Sequence, residues 1–557
     1  MPPAGNQPIG SVFKDGAWHV PWKAPVYDVA IIGGGHNGLV AAAYLAAAGR
    51  SVVVLEKNAV VGGAAITEEF YPGFRNSVAS YTVSLLNPKI IADLELARHG
   101  LRIVERPVAN FWPIDKTRCL LMPYGLAARQ AALAEFSKHD AARLPEYDAA
   151  LERAAAVLRG LLFKTPPNAG GGVAELIRGI GAGWGVAKLP LHDQQLLIDL
   201  FTKSAAVFLD GWFANDHVKA AFAFDGIVGT FASPYTPGTA YVLLHHCFGE
   251  VNGKPGVWGH AIGGMGAITQ TMALAAQERG AMIRTNAAVA RVLDDGRRAT
   301  GVELETGDII QARAVAANIS PKVLMRMFVS REAITAEARA PFARIETGSG
   351  TFRMNVALSE LPDFTCRPGK SPAPHHASGI VIGPTLGYLD RAYMDARRDG
   401  WSAEPVVEML IPSTLDESLA PSGQHVASLF VQHVAPKLPQ PRSWSDPVEA
   451  AAFADLVIDT VTKHAPNFKG SILGRQVLSP LDLQLRFGLP DGDIFHGQLG
   501  LGQLFSARPV LGHANYRSPL KGLYFCGAGS HPGGGVTGVP GHNAAREILK
   551  DFRLRRL

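Results

Sequence analysis

The residues best suited to chemistry in this 557-residue chain are glycines near its start. Gly33-Gly34-Gly35-His36-Asn37-Gly38 has the G-x-G-x-x-G spacing that cradles the pyrophosphate of a dinucleotide. Gly33 permits a tight turn, Gly35 lets a phosphate approach the backbone, and Gly38 lets a helix pack closely on a strand. Glu56 follows at the distance, about 20 residues on, where an acid accepts hydrogen bonds from a ribose hydroxyl. In a chain with 60 glycines such spacing carries little weight alone, so its flanks decide.

The flanks are in order. Val26–Ile32 reads VYDVAII, a run suited to a buried parallel strand. Leu39–Ala48 is an alanine-rich helical run with Gly49 placed to cap it. Ser51–Leu55 is a second strand, ending at Glu56. This is a βαβ unit whose helix N-terminus offers free N–H groups and a positive dipole to phosphates. The alanine run is too short for a membrane span and is read as a close-packing face.

Two further blocks rich in glycine follow. Gly263-Gly264-Met265-Gly266 leads into a helical run, Ala267–Glu278, capped by Gly280. Strands are expected at Met282–Asn286 and Val289–Leu293, then a hairpin at Asp295-Gly296. Ala299–Glu305 and Ile309–Arg313 complete a small meander, and Ala314–Ala317 reads as a separate buried strand. Near the end, Gly522–Gly541 reads GLYFCGAGSHPGGGVTGVPG: a strand at Leu523–Cys526, a tight turn at Gly527-Ala528-Gly529, and a helix starting from Val536.

Composition narrows the classes. Net charge is only +5, which gives no support to nucleic-acid binding. Charged residues are 18%, against about 25% in an ordinary domain. Cys119, Cys247, Cys366 and Cys526 form no C-x-x-C pair and no zinc spacing, so neither a redox disulfide nor a metal is expected. His245-His246, read on a strand, would point to opposite faces and is rejected as a metal site. Met1–Lys23 shows no apolar signal region. The expected location is the cytoplasm or an organelle interior, with room for peripheral membrane contact helped by Arg553, Arg555 and Arg556.

Together these blocks resemble the phytoene desaturase-like FAD-dependent oxidoreductases of the amine oxidase and carotenoid desaturase superfamily. They are most similar to the group labelled pyridine nucleotide-disulphide oxidoreductase domain-containing protein 2. The resemblance rests on Gly33–Gly38, Glu56, Gly62–Ala65, Thr67-Glu68-Glu69, Gly263–Gly266 and the terminal block. It also takes in Ile494-Phe495-His496, Gln503-Leu504-Phe505 and Ala507-Arg508-Pro509-Val510, so it runs nearly the full chain. It implies non-covalent FAD held at Gly33, Gly35, His36, Asn37, Gly38, Glu56, Lys57, Gly63, Ala64 and Ala65. The backbone near Val289 would meet the adenine, and Gly527, Ala528, Gly535 and Val536 the ribityl chain and isoalloxazine. Most of the superfamily carries Arg where Ala64 stands; the narrower group shares Ala, leaving that phosphate to backbone N–H groups.

The implied fold is α/β, α+β overall: a Rossmann-type FAD-binding domain with a discontinuous substrate domain. After an N-terminal extension at 1–25, the FAD-binding parts are 26–107, 252–331 and 491–557, and the substrate parts 108–251 and 332–490. In the first insertion Ala127–Phe136, Leu144–Leu162 and Asp193–Ala206 read as helices, and Gly170–Leu191 as a mobile apolar entrance. In the second, strands are expected at Gly350–Leu358 and Val426–His433 and a helix at Pro447–His464. No catalytic residue is specified; His36, His496, His531 and His542 are the histidines expected near the flavin. The leading expectation is dehydrogenation of a hydrophobic, isoprenoid- or lipid-like small molecule by hydride transfer to flavin N5. The alternatives are an amine oxidase, an isomerase using reduced flavin, and a non-catalytic lipid-binding escort. The sequence leaves the oligomeric state open.

Overall fold

Two sheets organise the molecule. The computed structural model describes residues 26–557, and the extension read at 1–25 lies outside them. The first sheet is centred on Tyr27–Ile32, whose Val29, Ala30 and Ile31 are wholly buried. Burial on both faces requires cover on both sides, as in a parallel α/β sheet. Val52–Leu55 and then Met282–Arg284 extend the sheet one way, and Ile309–Ala317 and Leu523–Phe525 the other, all in parallel. Val52–Leu55 is buried throughout, and each such side chain contributes about 1.5–3 kcal/mol.

Ile309–Ala317 is one strand where two are expected. Its first residues pair antiparallel with Ala299–Leu304, which pairs in turn with Val289–Asp294. Its later residues pair in parallel with Tyr27–Ile32. Ile309–Ala317 contains no Gly or Pro, so the chain keeps its extended form while its neighbours change.

Helix His36–Ala47 starts inside the glycine turn, three residues earlier than expected. It packs against Met265–Glu278 and Val539–Arg553. A Cβ on Gly541 would stand 2.1 Å from the Asn37 carbonyl oxygen, so that crossing requires glycine. The last helix begins at Val539 rather than Val536. Val536 at φ 59° and Gly538 at φ 75° are left-handed and cannot belong to it.

The second sheet runs in the order Ile472–Leu478, Phe352–Leu358, His425–Val434, Trp401–Leu410, Gly379–Ile382, Asn110–Pro113, Cys119–Met122. Its pairings are antiparallel except where Asn110–Pro113 joins Gly379–Ile382. Helix Pro447–His464 packs Phe453, Val457 and Val461 into the core it shares with Phe352 and Val431. The two inserted regions thus share one sheet. The rest of the first insertion is helical, with its own core of Leu144, Leu200, Leu209, Val218 and Leu244.

Two local readings are corrected. Gly170–Leu191, read as a mobile apolar entrance, contains the helix Val173–Ala187. Its apolar residues recur at helical spacing, which outweighs glycines that each cost about 1 kcal/mol. His245-His246 ends the helix Thr239–His246 and is not on a strand. Among the described residues no helix is long and apolar enough to cross a membrane, and no cluster of metal ligands occurs.

Candidate active site

The carboxyl ends of the parallel strands open into a cavity of about 530 Å³. Ile32, Gly33, Leu55, Glu56 and Asn318 form one wall, and Arg353 and Phe430 reach it from the second sheet. Gly33, at φ 91°, starts the turn and donates its N–H to the Leu55 carbonyl at 2.8 Å. Gly35 bridges to Gly62, whose N–H donates to the Gly34 carbonyl at 2.9 Å. The two glycine loops therefore face each other with no side chain between them.

Glu56 braces this cradle. Its buried carboxylate accepts the Gly34 N–H at 2.8 Å through Oε2. Its Oε1 accepts the Asn58 N–H at 2.9 Å and the Asn58 side-chain amide at 3.0 Å. The acid thus ties the end of one strand to the turn after its neighbour, while still lining the cavity.

At the other end of the cavity lie Ala528, Gly534, Gly535, Val536, Phe495 and His496. Buried Arg508 holds this end together, donating to the carbonyls of Phe495 at 2.7 Å, Ala528 at 2.8 Å and Gly497 at 3.3 Å. Buried Asp493 accepts the N–H groups of Phe495, Gly497 and Gly348 at 2.8, 3.1 and 2.9 Å. The motif residues around 494–510 are thus partly scaffolding.

The cavity fits a dinucleotide-linked flavin. His36 Nε2, both side-chain polar atoms of Asn37, and His496 Nδ1 are buried without partners, and all three residues line it. Such groups are rare in native interiors unless a bound molecule satisfies them. Burial, with a smaller contribution from His496, pushes the His36 imidazole down to about 3. Burial and then Arg508 push His496 down to about 4. Both rings are neutral at pH 7, so each offers one N–H and one lone pair.

A buried polar group completes the cavity on the second-sheet side. The Tyr81 hydroxyl donates to Glu408 Oε2 at 2.5 Å. The Arg353 guanidinium lies 4.3 Å from the Tyr81 ring centroid and donates to Ser428 Oγ at 2.7 Å. Arg106 donates to Thr82 Oγ1 and lies over Trp258. Burial raises the Glu408 carboxyl, opposed by Arg106. Burial and then Glu408 lift Asp225 to about 7.

A second cavity, of about 650 Å³, abuts the first, and Leu85 and Gly534 line both. Its walls are largely apolar: Leu158, Leu161, Leu197, Phe201, Tyr241 and Leu504 among them. Gly179, Gly183 and Val186 of the helix Val173–Ala187 roof it. On the same helix Val173, Leu176, Ile177 and Ile180 stand 73, 64, 64 and 57% exposed.

Gly33, Gly35, His36, Asn37, Glu56, Lys57, Gly63, Ala64, Ala65, Val289, Ala528, Gly535 and Val536 all line the first cavity. Gly38 and Gly527 are not among its lining residues. A Cβ on Gly38 would stand 2.3 Å from the Gly33 carbonyl oxygen, and one on Gly527 3.1 Å from Asn318 Oδ1, so both serve close packing. The Gly263–Gly266 turn also stays outside: Gly264 and Gly266 press on Thr67. Of the four histidines, His36 and His496 line the first cavity and His531 the second. His542 lines neither and packs edge-on to Tyr44 and Phe163. The sequence reading missed Tyr81, Arg353 and Glu408, which carry no local motif. The four cysteines are free, although Cys119 and Cys366 touch through a hydrogen bond.

Comparison with known proteins agrees with this geometry. Residues 31–92 match the model of the NAD(P)-binding Rossmann-like domain, and 193–351 that of the flavin containing amine oxidoreductases. Pyridine nucleotide-disulfide oxidoreductase domain-containing protein 2 of Rattus norvegicus is 39% identical over 95% of this chain and 94% of its own. A phytoene desaturase (lycopene-forming) of Pantoea ananas is 24% identical over 92% of this chain and 96% of its own. A solved structure of a putrescine oxidase variant shares the fold, with TM-score 0.60 and 15% identity over 95% of this chain and 99% of that one. With its cradle shaped for a dinucleotide and a near full-length likeness to the rat protein, the chain belongs to the pyridine nucleotide-disulfide oxidoreductase domain-containing protein 2 family and is an FAD-dependent oxidoreductase.

Proposed function

We propose that the protein is a dehydrogenase or desaturase of a hydrophobic, isoprenoid- or lipid-like molecule. The observation that carries this reading is the apolar cavity of about 650 Å³ that meets the cofactor cavity at Leu85 and Gly534. Its volume and lining suit an apolar ligand that must be held away from water. The named activity of the phytoene desaturase relative agrees with it.

Bound FAD supplies a two-electron acceptor at flavin N5. The chain does the rest. Glu56 braces the glycine turn that cradles the nucleotide half, His36 and Asn37 offer that half their idle polar atoms, and Arg508 fixes the wall at Phe495 and Ala528. Leu85 and Gly534, the latter packed against Phe495, stand where the two cavities meet. Tyr81 lines the cavity and donates its hydroxyl proton to Glu408 behind it, a pair that relays a substrate proton to the Glu408 carboxylate. The substrate enters beneath the helix Val173–Ala187, whose exposed apolar face suits contact with a lipid phase.

The test is anaerobic reduction of the purified yellow protein, followed in the visible spectrum. Polyenes such as phytoene in liposomes should bleach the flavin band, and alkyl amines should not. Bleaching by amines alone would move the assignment to amine oxidation.

A further inference from the structure

Arg353 is a buried charged group in the wall of the same site. It stands on Phe352–Leu358, is 1% exposed, and lines the cofactor cavity beside Tyr81 and Phe430. Its Nη2 donates to Ser428, while its Nε and Nη1 have no partner. Burial lowers this guanidinium to about 10, so it remains charged at neutral pH. A buried cation with idle N–H groups calls for an anion.

The surroundings do not supply a full one. The ionisable groups that act on it are Tyr81 and Glu408, and Glu408 is in turn opposed by Arg106 and itself raises Asp225. Tyr81 is held neutral by burial, and its hydroxyl occupies one oxygen of Glu408. Glu408 is shared by two guanidiniums, Arg106 and Arg353. Of this group only Tyr81 and Arg353 line the cavity, so the charge that faces it is the Arg353 guanidinium.

We propose that Arg353 binds an anionic oxygen group of the substrate, a carboxylate, so that the substrate is an amphipathic acid. Its apolar chain fills the second cavity and its head passes Leu85 to the inner end, beside Ser84, His246 and Trp258. The assignment of the chain rests on the hydrophobic-substrate reading above; the assignment of the head group rests on Arg353 alone.

The test is a binding titration of the FAD-loaded protein, read as a perturbation of the flavin spectrum without turnover. Butyrate and decanoate are compared with butanol, decanol and decyltrimethylammonium. Decanoate should bind about tenfold to a hundredfold more tightly than decanol, the size of a charge-assisted hydrogen bond. The ammonium should bind most weakly. Arg353→Gln should erase the preference for decanoate while FAD content and decanol affinity stay unchanged, and Arg353→Lys should restore part of it. Equal affinity for decanoate and decanol in the unaltered protein would overturn the proposal even if Arg353→Gln fails to fold. Loss of FAD from Arg353→Gln, with the carboxylate preference intact in the remaining holoprotein, would reassign Arg353 to the cofactor. A carboxylate preference without any chain-length effect would leave Arg353 standing and remove the apolar-chain reading instead.

Discussion

Glu56→Gln isolates the bracing of the glycine turn. The change is nearly isosteric, but it converts one acceptor oxygen into an NH2 group. If that group faces Asn58, two hydrogen bonds are lost, at 2.9 and 3.0 Å. If it faces Gly34, one bond of 2.8 Å is lost and a donor is set against a donor. The second orientation is cheaper. Loss of one hydrogen bond to a charged, buried acceptor costs about 1.5–3 kcal/mol. That total divides between two measurements. Where the apoprotein turn stays as it is, the loss falls on stability and FAD affinity is unchanged. Where the turn relaxes, FAD must restore it, and the dissociation constant rises by up to about tenfold to a hundredfold. The assay is therefore paired: FAD affinity by fluorescence quenching, and apoprotein stability by urea denaturation. The two losses should sum to about 1.5–3 kcal/mol. If both stay within about 0.5 kcal/mol of the unaltered protein, Glu56 does not brace the turn.

Three further outcomes are expected. Arg508→Met leaves the carbonyls of Phe495, Gly497 and Ala528 without their donor; stability should fall by about 3–5 kcal/mol and proteolysis should begin within 491–508, so a change under about 1 kcal/mol refutes the scaffold role. The Cys366 thiol, and then Arg367, hold the Cys119 thiol down to about 7, while burial pushes Cys247 up to about 12. Iodoacetamide at neutral pH should therefore mark Cys119 first, with a rate that climbs through pH 7 as thiolate forms; peptide mass spectrometry showing Cys247 marked as fast would contradict this. Burial holds His245 and His433 near 3 and His531 near 4 in the folded state. The unfolded chain then takes up protons below about pH 6.5 that the folded chain refuses, and each site removes up to about 1.4 kcal/mol per pH unit until its folded value is reached. Stability measured from pH 8 down to 5 should fall below about 6.5, the three histidines together outweighing Asp225, whose raised carboxyl gains stability as pH falls through about 7; a profile that does not fall would mean these rings are not buried neutral.

The membrane-facing reading changes character with the structure. The sequence suggests a floppy apolar entrance at Gly170–Leu191, whereas the helix Val173–Ala187 presents bare glycines inward and apolar side chains outward. Gly179 and Gly183 line the cavity, while Val173, Leu176, Ile177 and Ile180 are exposed. Of the C-terminal arginines, Arg556 is paired with Asp551.

The nucleotide half of the site is local, and the sequence by itself determined it. Gly33–Gly38, the strand before it, the helix after it and Glu56 lie within one βαβ unit. Their roles follow from backbone sterics and short-range hydrogen bonding. The terminal glycines were legible for the same reason, although the pattern could not separate Gly535, which faces the cavity, from Gly527, which faces Asn318. Only the tertiary structure decided the rest. Tyr81, Arg106, Arg353 and Glu408 come from distant parts of the chain and look ordinary in their own segments. Arg353 and Glu408 come from strands of the second sheet and Tyr81 and Arg106 from loops folded against it, and their chemistry arises from that packing: a buried cation, a raised carboxyl and a tyrosine that donates to it.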